Sequence, residues 1–551
     1  MKPARPTMFK TPRRWRPQGC IAVPLLLLLG SGGVTLWSAW KEITELARQE
    51  AGLRWLRSRV PASWESMYVG RKAPFPFRPY SWYEALKSTD KLPWGGPSLD
   101  LWPILRHCLG EFGWQSLYVD TLWFQAHYSH LGQMSDTDWA VFLGSFPWLE
   151  VARLEAAPIR DRHLRYLARA PRLRWLFLSS TPITGEGLAY LRNLPIEHLD
   201  LRSVDMNESG IQAVAQLKTV EVLAADGDDA LAAQLSQLRN LEILSFFRSK
   251  RPTKRLTDAG LKHIVGMPSL KHLLFDSPYV SDTAMGFVGR NAGLETLEVI
   301  AERITDDGIA ALARSAVAGR LSELAVESPG LTDAALRHVA HMHLRTLELR
   351  RSPITDAGLR HLRECQSLRF LSFVQTRLTG VGFKELEGLE GLRAVKLSGG
   401  PISDVGLAAI GRLKGLRALT LQDVPVSGKG FQDWLVVSKL EWLDLAGSRI
   451  SDEGVAALAK CAGLRSLNLA RTKITDRAVP SLAALRDLEQ LDLSSTGITD
   501  EGIKYLQDIK QLREVYLFGT KVTDKGIEQL RSTLPAVRII TRNSSAPSIP
   551  E

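Results

Sequence analysis

The sequence predicts an α/β solenoid, with a parallel sheet on one face and helices on the other, built from one unit repeated along the chain. Three observations predict it. Leu440, Leu443 and Leu445 have the spacing LxxLxL, the period of a short strand whose leucines share a face. Ile450, Ser451-Asp452, Gly454-Val455 and Leu458 follow, a capped helix start leading into helical spacing. The pattern then begins again at Leu464, Leu467, Leu469, Ile474, Thr475-Asp476, Val479 and Leu482, a period of 24 residues.

The same unit runs through most of the chain. The middle strand residue falls at Ala152, Leu176, Leu199, Leu223, Leu244, Leu273, Leu297, Leu324, Leu347, Leu371, Val395, Leu419, Leu443, Leu467, Leu491 and Val515, with an interval of 24 at every step from Leu347 onward. A first strand is expected at 116–119 and a closing one near 537–541, and Met134-Ser135-Asp136 stands in for the usual Ile-Thr-Asp. In each strand two leucines point inward and the residue between them points out. Thr or Ser before Asp, as in Thr355-Asp356 and Thr499-Asp500, satisfies free amides at a helix start. Strands stack at about 4.8 Å and helices are wider, so the sheet is expected on the inside of a curve.

This grammar resembles the ribonuclease-inhibitor-like, cysteine-containing class of leucine-rich repeat proteins, the class found in the repeat half of F-box proteins. The arrangement of basic tail, apolar span, tryptophan-rich segment and repeats resembles bacterial membrane-anchored leucine-rich repeat proteins. The resemblance covers 114–541 and implies a horseshoe whose concave face recognises a protein. Two alternatives follow it: a substrate-recognition subunit of an enzyme complex, of the ubiquitin-ligase adaptor type, or a cell-envelope structural or glycan-binding protein.

Composition narrows the function. The net charge of +11 is concentrated in Lys2, Arg5, Lys10, Arg13, Arg14 and Arg16, which leaves about +5 over the remainder and argues against nucleic acid. Four cysteines in 551 residues make no disulfide framework. Cys365 and Cys461 share one repeat position, where a small thiol fills space. Residues 18–40 carry no charge, with Leu25 to Leu29 at the centre and Trp37 and Trp40 at the far end. That pattern predicts a transmembrane signal anchor with the 1–17 tail in the cytoplasm and the repeats exported. A cleaved signal peptide, giving a secreted form, is the competing reading. Residues 41–113 are expected to form a juxtamembrane helix and a tryptophan-rich cap over the open end of the array, and 542–551 a disordered tail.

The candidate partner-binding residues face outward from the strands or flank those positions: Trp175, Phe177, Glu298, Glu348, Phe370, Lys396, Trp442 and Asp444. Packing between rungs is the competing reading for Trp175, Phe177 and Trp442. A second candidate lies where the repeat breaks. The unit at Leu223 is about three residues short around Asp226-Gly227-Asp228-Asp229, and the next is about five too long, with Arg248, Lys250, Arg251, Lys254 and Arg255 in the excess. This basic loop docks an acidic or phosphorylated partner, neutralises the acidic turn beside it, or is simply solvated. The series Asp444, Asn468, Asp492 and the histidines His338, His341 and His343 are read as structural and surface residues rather than metal ligands. With no nucleophile–base pair and no phosphate loop, no enzyme, cofactor or metal is expected.

Overall fold

The computed structural model describes residues 121–123, 135–144, 149–251, 253–434, 439–458 and 461–541. The expected tail 1–17, apolar span 18–40, cap 41–113 and terminal tail 542–551 lie outside them. Among the described residues no helix is long and apolar enough to cross a membrane. The chain divides into two compact units, one running to Asp200 and including Val204–Leu217, the other containing Leu201–Ser203 and Lys218–Glu551.

In the first unit the strand Thr121–Trp123 pairs in parallel with Val151–Arg153, which pairs with Trp175–Phe177. The neighbour of Val151–Arg153 is therefore Thr121–Trp123, a few residues beyond the expected 116–119, which lie outside the described residues. Ala152, Leu176 and Leu199 lie in register and are fully buried. Asp136 opens the helix Asp136–Gly144, as its place in the repeat predicts. Its carboxylate meets His163 Nε2 at 2.9 Å, while His163 Nδ1 accepts from the Arg160 amide at 3.0 Å. That second bond leaves the ring proton on Nε2, so the imidazole donates to Asp136. The hydrogen bond from His163 holds the Asp136 carboxyl below its ordinary range.

In the second unit every strand from Val222–Asp226 to Arg538–Ile540 pairs in parallel with the next in sequence. The predicted middle residues fall on one register line, Leu347 beside Leu371, Val395, Leu419, Leu443, Leu467, Leu491 and Val515. All are essentially inaccessible to solvent. A strand of three to five residues cannot pair with itself, so its backbone groups are satisfied only by its two neighbours.

A second ladder runs along the helix starts. Thr355 Oγ1 accepts from the Ala357 amide of its own helix at 3.3 Å and donates to Asp333 of the preceding repeat at 2.6 Å. The Thr355 amide donates to the same aspartate at 2.7 Å. The arrangement recurs from Asp229 to Thr257, Asp282 to Thr305, Asp476 to Thr499 and Asp500 to Thr523. Each aspartate thus stands at the positive end of its own helix and also ties down the next repeat.

Two repeats in this unit carry glycine where the aspartate belongs. Gly380 and Gly428 have φ of 90° and 91°, in the left-handed region, and the helices they open, Val381–Leu386 and Lys429–Asp433, are 3-10 rather than α. With no carboxylate to receive it, the Ser403 amide donates to the Thr379 carbonyl at 2.9 Å and the Ser451 amide to the Ser427 carbonyl at 3.1 Å. The next helix is drawn in so closely that a Cβ on Gly406 or Gly454 would strike those carbonyls and the facing glycine Cα. Gly406→Ala and Gly454→Ala are each expected to destabilise the fold by about 1–3 kcal/mol. Gly388→Ala, exposed and with open space around it, is the control and is expected to be neutral. Thermal unfolding of the three variants checks this; equal midpoints would refute the close-approach argument.

Candidate functional site

Alternation along the strands turns one residue in two away from the leucine core, and these form the open face of the sheet. In the second unit Glu298, Ala325, Glu348, Ser372 and Lys396 occupy successive positions across five neighbouring strands. Two residues further along each strand the same face carries Ile300, Glu327, Arg350 and Val374.

Arg350 organises this region. Its Nε donates to Glu348 Oε1 at 2.8 Å, within its own strand, and its Nη1 donates to Glu298 Oε1 at 3.0 Å, two strands away. The small side chain of Ala325 on the strand between leaves the path open. All three charged side chains are largely withdrawn from water, Arg350 being 21% exposed and each glutamate 13%. Burial, only partly offset by Arg350, raises the pKa of Glu298 above the ordinary glutamate value. Burial also works to raise Glu348, but the hydrogen bond and charge of Arg350, with Lys396 beyond it, hold that carboxyl below its ordinary range. Burial opposes the charge on Arg350, and the two carboxylates outweigh it, so the guanidinium is held more firmly protonated than in water. The strip therefore reads minus, plus, minus, plus from Glu298 through Arg350 and Glu348 to Lys396.

The structure thus brings Glu298 and Glu348 together, joined by Arg350, which sequence reasoning missed. Phe370 stands half-buried on the strand next to that of Arg350, and Lys396 half-buried on the strand after it. Other expected contact residues are not exposed. Phe177 is 7% exposed, because Arg153 lies 4.2 Å over its ring and His198 packs against it at 4.7 Å. Trp175 is half-buried and stacks on His198 at 5.6 Å. Trp442 is 8% exposed, with the small residues Ala418 and Ser466 beside it on the adjoining strands. For these aromatics, packing between rungs is the reading the structure supports.

Asp444 is 4% exposed and accepts from the Ala446 amide at 2.9 Å and the Gln422 amide group at 2.6 Å. Burial raises its carboxyl pKa above the ordinary value. Asn468 and Asp492 accept in the same way from the amides two residues on, at 2.9 and 2.8 Å. The Asp/Asn series therefore closes the strand ends of successive repeats, each side chain committed to backbone. Cys365 and Cys461 are buried, and burial pushes the Cys365 thiol up to about 11.

In the acidic turn, Asp226 lies in the field of Arg251, Lys254 and Lys250 of the basic loop. Asp226 accepts from the Ser203 amide, Asp228 from Ala230 of its own helix, and Asp229 from Thr257. Arg248 turns the other way, to Asp276 at 2.8 Å and Glu302 at 3.5 Å. Arg248, Lys250, Arg251, Lys254 and Arg255 line an open cleft of about 280 Å³ together with Asp276 and Tyr279.

Short parallel strands, buried leucines and capped helices at a fixed period define the class: the chain is a leucine-rich repeat protein. The family described as Leucine Rich repeat matches it at residues 340–362, 438–459 and 484–506. Among solved structures, a leucine-rich repeat protein of Leptospira interrogans is similar at 19% identity, over 72% of this chain and 91% of that one, with a TM-score of 0.40. An internalin of Listeria monocytogenes is similar at 17% identity, over 64% and 88%, with a TM-score of 0.32. The mouse RP105/MD-1 complex is similar at 16% identity, over 78% and 85%, with a TM-score of 0.47. A search of curated proteins gave no match. Leucine-rich repeats are in general non-enzymatic scaffolds for binding.

Arg350→Met leaves two mostly buried carboxylates without their cation and is expected to cost about 2–4 kcal/mol at neutral pH. Loss of the cation raises the folded-state pKa of both glutamates, so the folded form binds protons more readily than the unfolded chain. The deficit should therefore be smaller at pH 5 than at pH 8, and Glu298→Gln in the same background should recover part of it. Denaturant unfolding at the two pH values checks this; a deficit independent of pH would refute the charge argument.

Proposed function

We propose that this protein is a membrane-anchored scaffold that recognises a protein partner through the open face of its repeats. The observation that carries the reading is the charge-alternating strip of Glu298, Arg350, Glu348 and Lys396. Ion pairs in a sheet surface contribute little to stability when exposed and cost desolvation when half-buried, so a strip of them is poorly accounted for by stability alone. It suits recognition, where alternating charge fixes the register of a partner and rejects wrong ones. Phe370, half-buried beside this strip, supplies apolar area of the kind that anchors interfaces.

Anchoring rests on the sequence. The uncharged stretch 18–40, preceded by positive charge and ending in Trp37 and Trp40, has the length and composition of a signal anchor. The repeats would then be exported, presenting the strip outside the cytoplasm.

Two measurements test the proposal on the full chain. Wild-type protein is expected to retain a specific partner in affinity capture, and Lys396→Glu with Phe370→Ala to lose it while unfolding at a similar temperature. Protease added to intact cells should reach the repeats without permeabilisation. Retention of the same partner by the double variant would refute recognition by this strip, and digestion only after permeabilisation would refute export.

A further inference from the structure

One edge of the sheet in the second unit carries an inference separate from the open face. One residue ahead of each strand, at intervals of 24, stand Arg345, Arg369, Arg393 and Arg417, then Glu441, Arg465, Glu489 and Arg513. Backbone bonds set the first four side by side: the Arg369 amide donates to the Arg345 carbonyl, Arg393 to Arg369 and Arg417 to Arg393, each at 2.8 Å. Further along, the sign alternates and the charges pair across strands. Arg417 meets Glu441 at 2.6 Å, and Glu489 meets Arg465 at 3.7 Å and Arg513 at 3.5 Å. In the first four rows like charge faces like charge, which works against the sheet. The turns leading into these four strands add Arg363, Arg412 and Lys414 against Glu364, Glu387 and Glu390, so the row of arginines is itself the surplus.

The arginines are exposed, and two of them are visibly held in place. Arg369 Nη1 donates to the Gln366 and Leu368 carbonyls at 2.8 and 2.9 Å, and Arg393 Nη1 to those of Glu390 and Gly415 at 2.7 and 3.2 Å. A Cβ on Gly391 would strike the Arg369 guanidinium, and one on Gly415 that of Arg393, so each lies against the next repeat. Nε and Nη2, the donors that can grip a carboxylate through two parallel bonds, take no part in these contacts. At the end of the row Glu441 shows such a pairing in place on Arg417.

Spacing selects the ligand. Neighbouring strands lie about 4.8 Å apart. An α-helix presents one side chain per turn on a given face, about 5.4 Å apart, whereas an extended chain presents one every 6.6 Å or so, about twice its rise. Over the two steps from Arg345 to Arg393 the helix departs from the row by about 1 Å and the extended chain by about 4 Å, most of a strand spacing. A single exposed ion pair contributes little, and a row of them in register is the case in which geometry makes the sum count.

We propose that this edge docks an α-helix of a protein partner that carries a carboxylate on each of three successive turns, for Arg345, Arg369 and Arg393, with Arg417 and Glu441 closing the row. The edge stands or falls separately from recognition by the open face.

Fluorescence anisotropy of labelled peptides titrated with the full chain in neutral detergent, at constant ionic strength, tests the edge. Two alanine-rich helical peptides of about 20 residues serve as probes. One carries glutamates at i, i+4 and i+7, on one face, and the other has the same composition with the glutamates spread around the helix. Saturable binding of the first is expected, at least about fivefold tighter than that of the second. Arg369→Glu with Arg393→Glu should weaken it by at least about tenfold. Arg345→Glu, at the exposed start of the row, should weaken it in the same direction and carries the test if the double variant does not fold. No saturable binding of the first peptide, equal binding of the two, or undiminished affinity in a folded variant overturns the proposal.

Discussion

The backbone of a three- to five-residue parallel strand can be satisfied only by the strands on either side of it, and the second unit is arranged around that constraint. Each strand must meet its neighbour in register, so the residue that follows a middle leucine by one repeat must also be apolar and inward. Leu347, Leu371, Val395 and Leu419 meet that demand in turn. The aspartate–threonine relay meets the same demand at the helix starts, where Asp333 holds the amide and hydroxyl of Thr355. Strand and relay set one spacing from two sides. Where Gly380 or Gly428 removes the carboxylate, the following repeat is held by a carbonyl instead, and close approach of glycine to glycine replaces the relay.

Because the interior is fixed by that register, variation is confined to two places. One is the outward strand position, where any side chain that tolerates partial burial fits. The other is the turn after the strand, where extra residues leave the ladder untouched. Glu298, Arg350, Glu348 and Lys396 use the first freedom. Their interactions are local in space yet long in sequence: Arg350 and Glu298 are 52 residues apart and meet because Ala325 on the strand between them is small.

This explains which features were legible from residues alone. Leu347 to Val515 could be placed on one register line because apolar identity recurs at a fixed interval and burial demands it. The aspartates were recognised as helix-start residues, but their second role, on the next repeat, was not, since spacing along one chain does not reveal which neighbour a carboxylate faces. Trp442 and Phe177 were open to both partner binding and packing between rungs, and they and Asp444 are buried. A strand spacing of about 4.8 Å lets large side chains lie over their neighbours, and a short acidic side chain finds the amide two residues on. Arg350 had a signal that went unread: it stands two residues after Glu348 in the same strand, hence on the same face.

The turn after the strand is the second freedom, and the pair of repeats around Gly227 and Leu256 shows what it permits. Shortening one turn alone would leave a notch open to water on one side, and lengthening one alone would leave a loop with nothing behind it. Side by side, the two changes make a cleft whose floor is the buried Leu256 and whose wall is tied to the short turn through the Phe247 and Arg255 carbonyls. The strand register is undisturbed, with Leu223 beside Leu244 and Leu244 beside Leu273 despite the unequal intervals. Extra residues can therefore be held at this edge without a cost to the ladder, and the carboxylates of Asp276 and Glu302 orient Arg248 there.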